Sequence, residues 1–462
     1  MSTIDTTSPE IAAGERFDRA PVDRVDAVGA VGQGRVGALI AALTSADHKV
    51  VGGLFVGAST LVLLATAAVG ALLGAARIDG DGDLLDAGAL PQLFAAHRVS
   101  LVFGVLAPLL LGVAVAVVPL QVGARALAFP RVAAFGFWAW ASGLVLVVIA
   151  LCNNGGPGGG DADMVDLFLA AHGLVVIGLA AAAGSVAATV LTTRAPGLRL
   201  RRLPLFTWSA MVASIGLLLM LPVLLGVLIY LFVDHRNARA AFGGNVGVGS
   251  WIAFAYTQPA TYLFAVPAFG LFAELVPVTF RRRMPLRGVV YAGLTLIAVA
   301  ALSAVTQQPD HAVPWAGSGL DLHGLGDKIG DLVVYALFTL LPLLGVLVVL
   351  GVAAFAAKPS GDGVRPSVTA PFVFAFFGVG MVIVGMLGGA LTPITDLGLR
   401  GTVFEEGALV YVAYGTALAG LGAVVWWAPK VLGRRVPERP ALGLAGLGLV
   451  ATILATLPYY AA

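Results

Sequence analysis

The sequence predicts an all-α polytopic membrane protein, a helix bundle with about eleven transmembrane helices, and three observations predict it. Of 462 residues, 59% are hydrophobic and 11% charged, with a mean hydropathy of +0.96, more apolar surface than a soluble core needs. Apolar runs of roughly 20 residues, the length that crosses a ~30 Å hydrocarbon core, recur along the chain. The connections between them alternate between basic and acidic.

The runs fall near 50–75, 97–119, 132–152, 166–191, 205–232, 251–279, 288–306, 331–356, 370–394, 407–428 and 441–460. Residues 1–45 are polar, of mixed charge, and carry no short apolar stretch with a small-residue cleavage site; they read as a tail ahead of a transmembrane domain over 46–462. One set of connections carries Arg125 and Arg131; Arg194, Arg199, Arg201 and Arg202; Arg281, Arg282, Arg283 and Arg287; Lys358 and Arg365; and Lys430, Arg434, Arg435 and Arg439. The other set holds Asp79 to Asp86, the Gly-rich acidic loop 155–163, Asp310 with Asp321, and Asp396 with Glu405 and Glu406. Short basic loops stay inside, so a multi-pass protein of a bacterial-type plasma membrane with a cytoplasmic N-terminus is expected. Gly and Pro suit short connectors and kinked or closely packed helices. No internal repeat supports an inverted-repeat transporter. The single cysteine, Cys152, excludes an intrachain disulfide and a multi-cysteine metal site. The net charge of +2 singles out no partner, and no nucleic acid is expected.

Six segments, each at a helix boundary, carry a resemblance. They are LTSADHKVVGGLF at 43–55, LPQLFAAHRVSLVFGVLAPLLLG at 90–112, TRAPGLRLRRLPLFTWS at 193–209, YLFAVPAFG at 262–270 with VVYAG at 289–293, and WWAPKVLGRR at 426–435. With the loop VVPLQVGARALAFPR at 117–131, they resemble, in order, haem-copper oxidase subunit I, the catalytic subunit of cytochrome c and quinol oxidases. The resemblance covers about 43–432.

A low-spin haem within a helix bundle needs two imidazoles on opposite faces, a high-spin haem one, and a copper opposite it three. The chain has six histidines in all, of which only His97 and His172 lie in or near apolar spans. By the resemblance His97 matches one low-spin haem ligand. The other low-spin ligand and the high-spin ligand fall on Leu409 and Gly407, counted back from Pro429. On the sixth helix the family's His-Pro-Glu-Val-Tyr stands here as QPATY, so that Gln258 replaces a copper histidine and Ala260 a proton-carrying glutamate, while Pro259 and Tyr262 remain. The paired copper histidines fall at Thr306 to Gln308, with Gln307 and Gln308 in their place. Ala126, Ala133 and Ala134 stand at proton-input positions, the eighth helix has no lysine, and no counterpart of the family's twelfth helix or its arginine pair is expected. The resulting expectation is no metal site, no copper and no cofactor, or one haem at most, held by His97.

The other polar residues have plain readings beside functional ones. His97 at a helix start can bond to water or to a carbonyl. His172 reads as a structural hydrogen-bonding histidine, Arg77 as an interfacial anchor, and Tyr262 as a packing tyrosine. Glu274, and Asp396 with Thr392, are the candidates for polar function, because ionisable groups at membrane depth are expensive to keep. Three function classes follow. The favoured one is a non-catalytic subunit or scaffold of a respiratory membrane complex, contacting lipid and other integral subunits of the oxidase II or III kind. The alternatives are a terminal oxidase passing electrons from cytochrome c or quinol to dioxygen, and a bundle repurposed to bind or transport a small apolar ligand.

Overall fold

The computed structural model describes residues 43–78, 85, 88–306, 325–358, 365–394, 397–399 and 402–461, with 37, 40 and 41. The chain divides into two units, Met1–Ser45 and Ala46–Ala462. In the first, the described residues form a helical turn in which the Thr44 hydroxyl donates to the Ile40 carbonyl at 2.9 Å. Asp396, Gln307, Gln308, His311 and His323 lie outside the described residues, as do the side chains of Arg77 and Gln258.

Among the described residues of the second unit, eleven helices are long and apolar enough to cross a membrane. They are α1 (His48–Ile78), α2 (Ala89–Val122), α3 (Pro130–Cys152), α4 (Ala162–Thr192), α5 (Leu205–Arg236), α6 (Gly244–Ile252, Ala253–Thr257 and Gln258–Thr279), α7 (Arg287–Ala298, running on through Val299–Thr306), α8 (Leu325–Tyr335, Ala336–Leu340 and Leu341–Ala357), α9 (Ala370–Leu391), α10 (Val403–Val431) and α11 (Glu438–Ala461). The eleven predicted runs each find their helix. The second begins eight residues earlier than its run, so that His97 lies two turns inside α2 and not at its start. Pro91 is tolerated there because the first helical turn has no intrahelical acceptor for its missing N–H.

Local chemistry sets several boundaries. Asp47 accepts the Lys49 amide at 2.7 Å and starts α1; Asp161 accepts the Met164 amide at 3.0 Å and starts α4. α2 contains a π-helical stretch over Ser100–Leu106. Such widening frees carbonyls from the regular ladder, and the Phe103 carbonyl accepts the Trp140 indole N–H from α3 at 2.8 Å.

Four consecutive helix pairs approach closely, and glycines set their distance. A Cβ on Gly52 of α1 would stand 2.6 Å from the Gly112 carbonyl of α2; one on Gly136 of α3, 2.7 Å from the Gly178 carbonyl of α4; one on Gly345 of α8, 2.6 Å from the Gly293 carbonyl of α7; and one on Gly378 of α9, 2.5 Å from the Gly415 carbonyl of α10. Small residues that let backbones approach are the membrane substitute for a hydrophobic driving force between helices. The most apolar stretch of α2 is wholly enclosed, as are 78% of those of α6 and α10, whereas α1, α8 and α11 leave most of theirs outward. The core therefore runs down α2, α6 and α10.

Candidate functional site

One ion pair at the edge of this core lies where α2 meets the start of α10. Arg98 donates from both Nη2 (2.7 Å) and Nε (3.1 Å) to one oxygen of Glu406, and His97 Nδ1 stands 3.8 Å from the other. Glu406 lies in the first turn of α10, where a carboxylate is favoured by the unpaired amides and the helix dipole. Its side chain is 13% exposed and that of Arg98 41%, so the pair bridges the buried core and the bundle end. The other edge of the His97 ring faces α1: a Cβ on Gly70 would stand 3.1 Å from Nε2 and 3.9 Å from the Tyr414 hydroxyl. His97 is thus wedged between a glycine and a carboxylate.

The two ligand positions on α10 are apolar in their surroundings. Leu409 is buried in the main core. A side chain at Gly407 would meet Tyr459 Cβ at 2.9 Å and the Tyr460 ring at 3.3 Å, both on α11.

Deeper in the bundle, Phe103 stacks on Tyr256 of α6, with ring centroids 4.7 Å apart, and meets the edge of His172 at 4.8 Å; Phe168 packs on the same imidazole at 4.6 Å. His172 is fully buried, and neither ring nitrogen has a hydrogen-bond partner, nor does the Tyr256 hydroxyl. His172 is enclosed by aromatic faces, those of Phe103 and Phe168. Phe103 and Phe168 also wall a cavity of about 340 Å³ that reaches Arg98 and Glu406, with Phe94 and Ile252 on its other sides. That volume is within the range of small-molecule sites. Tyr262 is buried, its hydroxyl 3.5 Å from the Met386 carbonyl.

Glu274 of α6 is a helix cap. Its carboxylate accepts the Phe206 amide at the start of α5 (2.9 Å) and the Gln121 side-chain N–H (2.6 Å), while Gln121 accepts the Thr207 hydroxyl (2.5 Å). Thr392 bonds back to the Gly388 carbonyl at 3.1 Å. A cluster not foreseen from the sequence joins α4 to α5: Asp166 binds His235 Nδ1 at 2.7 Å and Arg236 Nη1 at 2.9 Å. Its members are 69 and 70 residues apart in the chain, and those of the Arg98–Glu406 pair 308; only the order of the helices brings them together. Among the described residues, no group of three or more His, Cys, Asp or Glu side chains could hold a metal ion.

Comparison with known proteins supplies the frame for these positions. A family profile described as Cytochrome C and Quinol oxidase polypeptide I matches residues 50–462. A putative cytochrome c oxidase subunit 1-beta of Streptomyces coelicolor is 29% identical over 432 residues, covering 87% of this chain and 70% of its own. A probable cytochrome c oxidase subunit 1-beta of Nocardia farcinica is 28% identical over 86% of this chain and 68% of its own, and a cytochrome c oxidase subunit 1 of Corynebacterium diphtheriae is 26% identical over 86% and 71%. These matches overturn the expectation of no cofactor, no copper and one haem at most: the chain's relatives are subunits of an oxidase class that carries haems and copper. At the α2–α10 junction the described residues supply one imidazole where a low-spin haem takes two, so they do not by themselves fit that group.

Proposed function

Because this chain belongs to the cytochrome c and quinol oxidase polypeptide I family over residues 50–462, we propose that it serves as subunit I of a terminal oxidase complex that passes electrons from cytochrome c or quinol to dioxygen. The observation that carries this reading is the length of the match, which runs from the first membrane span to the last. Its setting is a bacterial-type plasma membrane with the N-terminus inside and residues 1–45 as a cytoplasmic tail, and its partners are other integral subunits of the oxidase II or III kind. The experiment is purification of the complex through a tag on this chain, followed by its visible spectrum, copper analysis and oxygen uptake with reduced cytochrome c and with quinol. Haem absorbance with oxygen uptake supports the reading; a pure, folded complex without either refutes it.

A second reading is favoured by the junction itself. With His97 facing Glu406 and Gly70, and with Gly407 and Leu409 offering no donor atom, the chain acts through its helix-packing surfaces and partner contacts, while oxygen chemistry belongs to other chains of the complex. His97→Ala separates the two. Under the oxidase reading it removes a haem signal and the oxygen uptake; under the scaffold reading assembly and activity of the complex stay intact, while substitution of Pro119 near the end of α2, Arg125 in the α2–α3 loop or Pro130 at the start of α3 disturbs assembly more.

A further inference from the structure

Opposite the ion-paired end, the bundle gathers arginine without counter-charge. The loops 193–204 and 279–287 contain eight arginines and no Asp, Glu or Lys. Arg194 is consumed by α4, donating to the Leu191 and Leu198 carbonyls at 3.0 and 3.2 Å and to that of Val190. Arg287 is consumed by the neighbouring loop, donating to the Leu203 carbonyl at 2.6 Å; the Tyr291 hydroxyl donates to the same carbonyl at 2.5 Å. These bonds pin the two loops together. Trp208 secures them further, stacked on Tyr291 at 4.6 Å and donating to its carbonyl at 3.2 Å.

What the pinning leaves over is a preformed cationic surface. Arg199, Arg201, Arg202, Arg281 and Arg283 are exposed and, among the described residues, form no ion pair. Arg282 Nη2 is buried with no hydrogen-bond partner, an N–H that needs an acceptor from outside the chain. The 280–287 loop is held in a costly shape, with Arg281 at φ 53° and Leu286 at φ 43°. That shape presents Leu286, 63% exposed, next to the arginines, with Leu200 exposed on the other loop. Both loops join span ends directly, at Thr192, Leu205, Thr279 and Arg287, which places them at headgroup depth.

We propose that Arg201, Arg202, Arg281, Arg282 and Arg283 form a seat for the phosphate headgroup of an anionic phospholipid, with Leu286 and Leu200 against its acyl chains. The guanidinium fork matches phosphate oxygens two at a time, which a lysine ammonium does not. Exposed leucines beside the cations suit a lipid and have no use for a soluble polyanion. The seat is independent of either functional reading.

The test uses the full chain in neutral detergent, with phosphatidylglycerol, phosphatidylcholine and inorganic pyrophosphate titrated separately and adducts read by native mass spectrometry. Phosphatidylglycerol binds in preference to phosphatidylcholine. Arg201→Gln/Arg202→Gln/Arg281→Gln/Arg283→Gln weakens it by roughly fivefold per arginine, while the Lys versions of these four keep part of the affinity. Leu286→Gln weakens phosphatidylglycerol and leaves pyrophosphate unchanged, and Arg434→Gln/Arg435→Gln, on another basic loop, leaves both unchanged. Equal binding of the two lipids, full affinity in the four-Gln variant, or an equal loss from the Arg434/Arg435 pair overturns the proposal, as does pyrophosphate binding as tightly as phosphatidylglycerol.

Discussion

Replacing Gly378 by alanine tests whether glycine spacing holds α10 in place. Gly378 and Gly385 lie seven residues apart on α9, and Gly415 and Gly422 seven apart on α10, a spacing that keeps one stripe facing its partner in a left-handed pair. A Cβ on Gly378 would stand 2.5 Å from the Gly415 carbonyl, 2.8 Å from the Ala419 amide nitrogen and 3.0 Å from Ala419 Cβ. None of these atoms belongs to a flexible side chain. Ordinary contact requires the helices to part by roughly 0.6 to 0.9 Å, which forfeits a quarter to a half of each dispersion contact nearby. The cost is about 1–3 kcal/mol, less a gain of about 0.5–1 kcal/mol in helix propensity. Gly380 is the matched control, since it is on the same helix, exposed, with nothing within 4 Å of its Cβ; Gly380→Ala keeps only the gain. Thermal unfolding in detergent, followed by size exclusion, should place Gly378→Ala below wild type and Gly380→Ala at or above it. Equal midpoints for the two variants would show that the close approach carries no energy and refute the reasoning. Because Gly385 shares the interface, Gly378→Ala/Gly385→Ala should cost less than the sum of its parts.

Three further outcomes are expected. Glu274→Ala strips the cap of α5 and a partner of Gln121, so the unfolding midpoint should fall by the equivalent of about 1–3 kcal/mol, and Glu274→Gln, which keeps an acceptor, by less. Trp140→Phe leaves the Phe103 carbonyl of the π stretch without its 2.8 Å donor and should cost about 1–3 kcal/mol in the same assay. Glu406→Gln should destabilise wild type more than it destabilises an Arg98→Ala background; a double-mutant cycle with no coupling would mean that the 2.7 Å pair is energetically silent.

The membrane spans were legible because the signal is local: twenty apolar residues in a row can be read without knowing their neighbours. The start of α2 was misread because Pro91, Gln92 and His97 dilute the run, although a helix end at the bundle surface tolerates them. The π stretch at Ser100–Leu106 could not be read, since what satisfies its freed carbonyl is a tryptophan 37 residues away. Glu406 was read as one of the acids of a connecting loop; it acquires its partner only when α2 meets α10, as Asp166 acquires His235 and Arg236 only when α4 meets α5. The aromatic packing of Phe103 and Phe168 on His172 could not be read either, since the three side chains come from two helices.

The charges at the α2–α10 junction make sense only as a set. A carboxylate as enclosed as Glu406 is costly alone, and it sits next to Gly407, one of the two α10 positions on which the sequence resemblance placed a haem ligand. Arg98 is next to His97, which matches the ligand on the opposing helix. The cation and the anion thus flank equivalent places on two helices and neutralise one another across the gap. Toward the other end the same two helices touch directly: a Cβ on Gly420 of α10 would stand 2.9 Å from Leu109 of α2, within a cluster of Val105, Leu109 and Ala417. The spacing of α2 and α10 is therefore set by this chain's own side chains at both ends. Whatever group or subunit engages the junction meets a carboxylate already paired with Arg98 through one oxygen, while the Nε2 edge of His97 is closed off by the α1 backbone at Gly70.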